Sequence, residues 1–195
     1  MKTEFEIKFL NIDEEKLHKK LQALGGRLIK VKKLMRRQTF DLPEKILSGQ
    51  KKWIRVRDEG DRVTMTFKNV IDKDKIDGTK EIEIIVDDFD KTVELASAVN
   101  LVKASYQENY REEWKFKNCS ITVDTWPGLS PFVEIEGENE EIVKSVASKL
   151  NFNIKRGEFG SIDYIYHKVL GIETSKFNKL PVLTFNNFNK VLVNK

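Results

Sequence analysis

Hydrophobic and polar residues alternate along most of this chain, and the period changes at a few definite places. At the start Glu4, Glu6 and Lys8 share one parity and Phe5, Ile7 and Phe9 the other, as in a strand with one polar and one apolar face. Asp13-Glu14-Glu15 opens a helical period that puts Leu17, Leu21 and Leu24 on one stripe, and Gly25-Gly26 stops it. A strand is expected from Val31 to Phe40, with Arg37, Thr39 and Asp41 to one side and Gln38 and Phe40 to the other. A turn at Asp41-Leu42-Pro43 and a short helical turn from Glu44 to Gly49 follow.

Two strands, Lys52–Arg57 and Arg62–Lys68, flank the turn signal Asp58-Glu59-Gly60-Asp61. The first aligns Trp53, Arg55 and Arg57; the second aligns Thr64, Thr66 and Lys68. After a polar loop, Thr79–Val86 puts Glu81 and Glu83 opposite Ile82, Ile84 and Val86. A helix over Asp87–Asn100 leads to a β-rich second half. There Asn109, Arg111 and Glu113 share one parity, Thr122 and Asp124 another strand's polar face, and Glu134 and Glu136 a third. Helices are expected over Glu138–Leu150 and Ser161–Leu170. The order predicts an α+β fold of two similar halves: a closed eight-stranded antiparallel β-barrel with helices packed outside. It occupies residues 1–171. Residues 172–195 form a C-terminal extension whose Phe177, Leu180, Leu183, Phe185, Phe188, Val191 and Leu192 make it too apolar for a disordered linker, so it is expected to pack on the body or on another chain.

Charge changes this picture where it is placed rather than in its total. The 195 residues carry a net charge of +4, but the extension alone has four lysines against one acid, so the body is nearly neutral and a general nucleic-acid surface is not indicated. The single cysteine, Cys119, excludes an internal disulfide or thiolate cluster, and two histidines are too few for a His-rich metal site. His18 is expected to be solvated, and Trp53 and Trp114 are candidates for stacking a nucleobase, a role that strand aromatics take less often than packing. There is no membrane-length apolar run and no apolar leader, so a cytoplasmic protein is expected, its oligomeric state open and a homodimer included.

One barrel would gather all the polar strand faces inside. Paired carboxylates at i, i+2 offer hard oxygen ligands suited to Mg²⁺ or Mn²⁺. Arg55 and Arg57 offer planar forks matched to phosphate, with Lys8 and Lys68 as point charges. Both signs in one enclosure describe the site of a metal-bound polyphosphate; the same faces bathed in solvent would be cross-strand ion pairs.

The ordered motifs resemble the CYTH family, the triphosphate tunnel metalloenzymes, which include class IV adenylate cyclases, thiamine triphosphatases and inorganic tripolyphosphatases. Glu4-x-Glu6-x-Lys8 resembles its opening signature, Trp53-Ile54-Arg55-Val56-Arg57 its Leu-Arg-x-Arg strand, and Thr64 to Lys68 and Lys80 to Glu83 the strands that follow. The run from Asp124 to Gly137, with Pro127-Gly128-Leu129 and Phe132-Val133-Glu134-Ile135-Glu136, is similar almost position for position. The resemblance implies that Glu4, Glu6, Asp124, Glu134 and Glu136 hold the metal ions. It implies that Lys8, Arg55, Arg57, Lys68 and Arg111 grip a triphosphate-containing small molecule, with Lys8, Arg57 and Lys68 as catalytic residues and Glu81 and Glu83 in support. Asn109 departs from the lysine common in cyclase-like members, and the extension has no counterpart.

The tunnel chemistry admits two reactions. Water attacking the terminal phosphorus makes a triphosphatase; a ribose 3′-hydroxyl attacking the α-phosphorus makes an adenylate cyclase. No purine-binding signature is legible in the sequence, which favours hydrolysis. A third reading is a non-catalytic polyphosphate-binding protein.

Overall fold

The structure is a computed structural model describing residues 1–189; Val191 and Leu192 lie outside the described residues. Strand β1 (Lys2–Phe9) leads into helix α1 (Glu14–Ala23), whose first turn is capped by Asp13 accepting from the Lys16 amide at 3.1 Å. The helix ends where Gly25 takes φ +82°, a conformation glycine adopts without strain, and the Gly26 amide bonds back to Leu21 O at 2.7 Å. Strand β2 (Arg27–Asp41) is fifteen residues long. A short turn and helix α2 (Ile46–Gly49) follow, pinned by the Asp41 carboxylate, which accepts from the amides of Leu42, Leu47 and Ser48. Then come β3 (Lys52–Asp58), β4 (Val63–Val70), β5 (Thr79–Val86) and helix α3 (Phe89–Ala98). The second half supplies β6 (Val102–Phe116), β7 (Cys119–Thr125), β8 (Phe132–Gly137) and helices α4 (Glu140–Lys149), α5 (Ile162–Leu170) and α6 (Thr174–Phe177). A two-residue strand, β9 (Val182–Leu183), ends the regular structure.

The sheet runs β2-β3-β4-β5-β1-β8-β7-β6 with every neighbour antiparallel, and β2 pairs with β6 to close it. This is the expected eight-stranded barrel. β2 begins four residues before the expected Val31, because β2 and β6 pair along their whole length. Irregularities between Leu28 and Lys33 break the period-two pattern that would have announced the early part of β2.

The outward apolar faces meet helices over most of the wall. Ile7, Phe9, Ile121, Val123, Val133 and Ile135 pack with Leu17 and Leu21 of α1 and Val143, Val146 and Ala147 of α4. Phe40 and Val56 pack with Phe89, Val93 and Ala96 of α3. Each fully buried side chain of this size stabilises the fold by roughly 1.5–3 kcal/mol. The covering is incomplete, however: Ile82 and Ile84 on β5 remain 52% and 54% exposed, because among the described residues no helix lies over that strand.

One end of the barrel is filled differently. Trp126, Leu129 and Phe132 cluster with Ile165 and Tyr166 of α5, Phe177 of α6, and Leu180 and Leu183. Tyr166 donates its hydroxyl to Pro127 O at 2.5 Å. β9 adds in parallel to β6 at Tyr106–Gln107, beyond the last β6–β7 pair, Tyr110–Thr125. Phe188 lies so close over Gly128 that a Cβ there would sit 1.9 Å from its ring. The described part of the extension is therefore packed on the body.

Candidate active site

Strand register decides which side chains share the interior. Lys68 lies opposite Glu81, Thr66 opposite Glu83 and Arg55, and Arg57 opposite Thr64 and Arg37. On the other wall Glu6 pairs with Glu136, Lys8 with Glu134, and Arg111 with Asp124. Register partners project to the same face, so all twelve residues singled out in the sequence, except Glu4, reach one surface through these pairs. Glu4 shares the parity of Glu6 and receives the Lys68 ammonium at 2.6 and 2.9 Å.

Inside, the charges are matched to one another. Lys8 pairs with Glu6 and, at 3.5 Å, with Glu134. Lys68 pairs with Glu4 and, at 3.5 Å, with Glu81. Arg55 reaches Glu83 at 3.7 Å and Thr66 Oγ1 at 3.3 Å. Arg111 donates to Asp124 at 2.7 and 2.8 Å and to Glu134 at 2.6 Å. Burial works against the Lys8 charge, but Glu6 and Glu134 outweigh it and raise its pKa. Burial likewise opposes ionisation of Glu134, yet Lys8 and Arg111 hold it down to about 2. Arg55, buried beside Arg57, falls to about 10.

The five residues expected at the metal divide into two groups. Glu4, Glu6 and Glu136 each offer a carboxylate oxygen, and the three atoms lie within 4.8 Å of one another. Burial together with neighbouring carboxylates raises the pKa of Glu6 and of Glu136, the mark of acids crowded without enough counter-charge. Three hard oxygen donors fit Mg²⁺ or Mn²⁺. Asp124 and Glu134 instead face Arg111.

Two functional-looking residues were not singled out from the sequence. Glu59, in the β3–β4 turn, is buried and accepts from Arg57, from Lys30 at 2.9 Å and from Arg62 at 2.8 Å. Its turn context hid it. Arg37 shares the parity of Thr39 and Asp41, which marks a face without naming a partner; here it is 7% exposed. Asn109, the noted departure, is wholly buried and links two strands: Arg37 donates to its Oδ1, and its Nδ2 donates to Asp124 Oδ1 at 2.7 Å.

The expectation for His18 is corrected. His18 is not a free surface residue: its Nε2 lies 2.7 Å from Glu112 Oε1 and its ring stacks on Trp114. Trp114 is buried among the outer-core residues and donates to Glu112, so it does not face the interior; Trp53 remains half-buried on the inner parity. Cys119 is buried, and desolvation pushes its thiol up to about 11, unsuited to a nucleophile. Among the described residues no helix is long and apolar enough to cross a membrane.

A protein of Methanocaldococcus jannaschii, provisionally named an adenylate cyclase, is 28% identical over 140 residues, 71% of this chain and 79% of its own. A Vibrio parahaemolyticus structure with the same provisional name superposes with a TM-score of 0.74 at 14% identity, covering 84% of this chain and 97% of that one. A Hippeastrum protein, provisionally an adenylyl cyclase and described as having a dominant triphosphatase activity, superposes at 0.58 with 15% identity, covering 85% and 95%. The CYTH domain profile matches residues 2–159, from β1 to just before α5. The chain belongs to the CYTH domain family.

Proposed function

We propose that this protein is a divalent-metal-dependent hydrolase of triphosphate-containing substrates. The observation that carries this reading is the enclosure of both charge signs on one inner face: Lys8, Arg55, Arg57, Lys68 and Arg111 beside the cluster of Glu4, Glu6 and Glu136. A triphosphate would take over the cations and release carboxylates now paired with them. Glu4, Glu6 and Glu136 would then hold Mg²⁺ or Mn²⁺. Asp124 and Glu134 would join only by giving up Arg111. The ion would supply Lewis-acid polarisation of phosphoryl oxygens.

The protein's own groups do the remaining work. Lys8, Arg57 and Lys68 contact phosphoryl oxygens and neutralise charge as it builds; Arg55 and Arg111 fix the chain of phosphates. Glu81 and Glu83 orient Lys68 and Arg55. A water oxygen bonds to the terminal phosphorus, the bridging P–O bond breaks, and the water's proton passes to solvent. Orthophosphate leaves together with diphosphate or its ester. Such catalysis rests on positioning and preorganised charge.

The activity described for the Hippeastrum protein favours hydrolysis. The names of the archaeal and Vibrio relatives favour the second reading, conversion of ATP to cyclic AMP and pyrophosphate. Parallel assays on tripolyphosphate, thiamine triphosphate and ATP decide between them. Orthophosphate release supports the hydrolase and the fastest substrate names its class; cyclic AMP with equal pyrophosphate would replace it with the cyclase. Tight binding without product would leave a polyphosphate-binding protein.

A further inference from the structure

Among the described residues, every inward cation considered above has a carboxylate partner, with one exception. Lys8, Arg55, Arg57, Lys68 and Arg111 are paired with Glu6, Glu83, Glu59, Glu4 and Asp124. Arg37 has no such partner. Its Nη2 donates to the neutral amide of Asn109, and its guanidinium carbon lies 4.5 Å from the centre of the Trp126 ring. Directly across the ladder is Arg57, another cation. The Nε groups of Arg37, Arg55 and Arg57 are all buried without a hydrogen-bond partner.

A buried guanidinium without a counter-charge, facing a second guanidinium, is costly to the ligand-free fold. Burial, and then the charges of Arg55 and Arg57, accordingly weaken its hold on its proton. The two contacts it does make are of a particular kind. An amide carbonyl and an aromatic face both fix the plane of a guanidinium, and neither neutralises it. Asn109 is itself fixed by its bond to Asp124 at 2.7 Å. The arrangement holds a fork in place and keeps its charge available.

We propose that Arg37 joins Arg55 and Arg57 in a three-guanidinium cradle for one phosphoryl group of the substrate, with Asn109 and Trp126 as positioning residues. The cradle lies toward the barrel end filled by Trp126, Phe132 and Leu183. This deepens the proposed function and rests on its reading of the interior as a polyphosphate site.

The test is calorimetric titration of the full chain with tripolyphosphate in the absence of divalent metal, beside thermal melting of each ligand-free variant. Arg37→Gln is expected to weaken binding roughly ten- to hundred-fold, the loss of charge-assisted hydrogen bonds. Its ligand-free melting temperature is expected to rise, because an uncompensated charge has gone. Arg37→Lys, which keeps the charge and loses the fork, should bind with intermediate affinity. Asn109→Asp gives Arg37 a counter-charge while losing the bond to Asp124, and should weaken binding with Arg37 still in place. Wild-type affinity in Arg37→Gln and Asn109→Asp, or a lowered melting temperature in Arg37→Gln with affinity unchanged, would overturn the cradle and make Arg37 structural. Absence of binding in the wild type would overturn the underlying polyphosphate reading as well.

Discussion

Glu59 carries a burden out of proportion to its place in a turn. Burial opposes its ionisation, but Arg57, Lys30 and Arg62 outweigh that and hold its carboxyl well below the ordinary 4.5. A depressed folded-state pKa contributes stability that is present above the unfolded value and is lost as pH falls through and below about 4.5. Glu59→Gln should therefore lower stability at pH 7 by roughly 1–3 kcal/mol and lose less than the wild type on acidification. Urea unfolding at pH 7 and pH 4 checks both parts; parallel losses in the two proteins would contradict them. Arg57 is held in place by this acid while still able to meet a ligand, so Arg57→Ala should weaken tripolyphosphate binding by about ten-fold or more. Equal calorimetric affinities would remove Arg57 from the site.

At the scale of elements, what could be read in advance followed from local chemistry. The i, i+2 charges on β1, β3, β5 and β8 fixed their faces because regular strands alternate strictly, and the helices declared themselves by an acidic or Asn cap and an apolar stripe. Arg37 and Glu59 escaped for different reasons: Glu59 stands in a turn, where no period assigns a face, and no local period encodes for Arg37 a partner 72 residues away such as Asn109. The cover over β5 failed for the same reason, since an apolar stripe calls for a partner without specifying one. β9 is the clearest long-range case. Two residues, paired to β6 and buried through Leu183, attach the extension to the barrel end. Leu183→Ala should cost roughly 2–5 kcal/mol, read as a lower urea midpoint with an unchanged slope. A change within 0.5 kcal/mol would mean that this end collapses around the loss.

For the whole molecule, mutual pairing of interior acids and bases has a thermodynamic consequence. On the proposed reading, metal and triphosphate would each free the groups that the other needs: Glu4 and Glu6 are held by Lys68 and Lys8, which the phosphates would claim. Binding of the two is therefore expected to be cooperative, and reciprocally so. The melting-temperature shift with Mg²⁺ and a slowly turned-over triphosphate together should exceed the sum of the separate shifts; simple additivity would argue for independent sites. On the proposed reading, the convergent carboxylates of Glu4, Glu6 and Glu136 serve a metal on which turnover depends. It is tested most directly by following orthophosphate release from tripolyphosphate across a Mg²⁺ or Mn²⁺ titration, in the wild type and in Glu136→Gln, with melting curves for both. The expected result is metal-dependent release in the wild type and its loss in a variant that remains folded. Metal-independent release, or equal metal-dependent rates in the two proteins, would show that these carboxylates hold no catalytic metal.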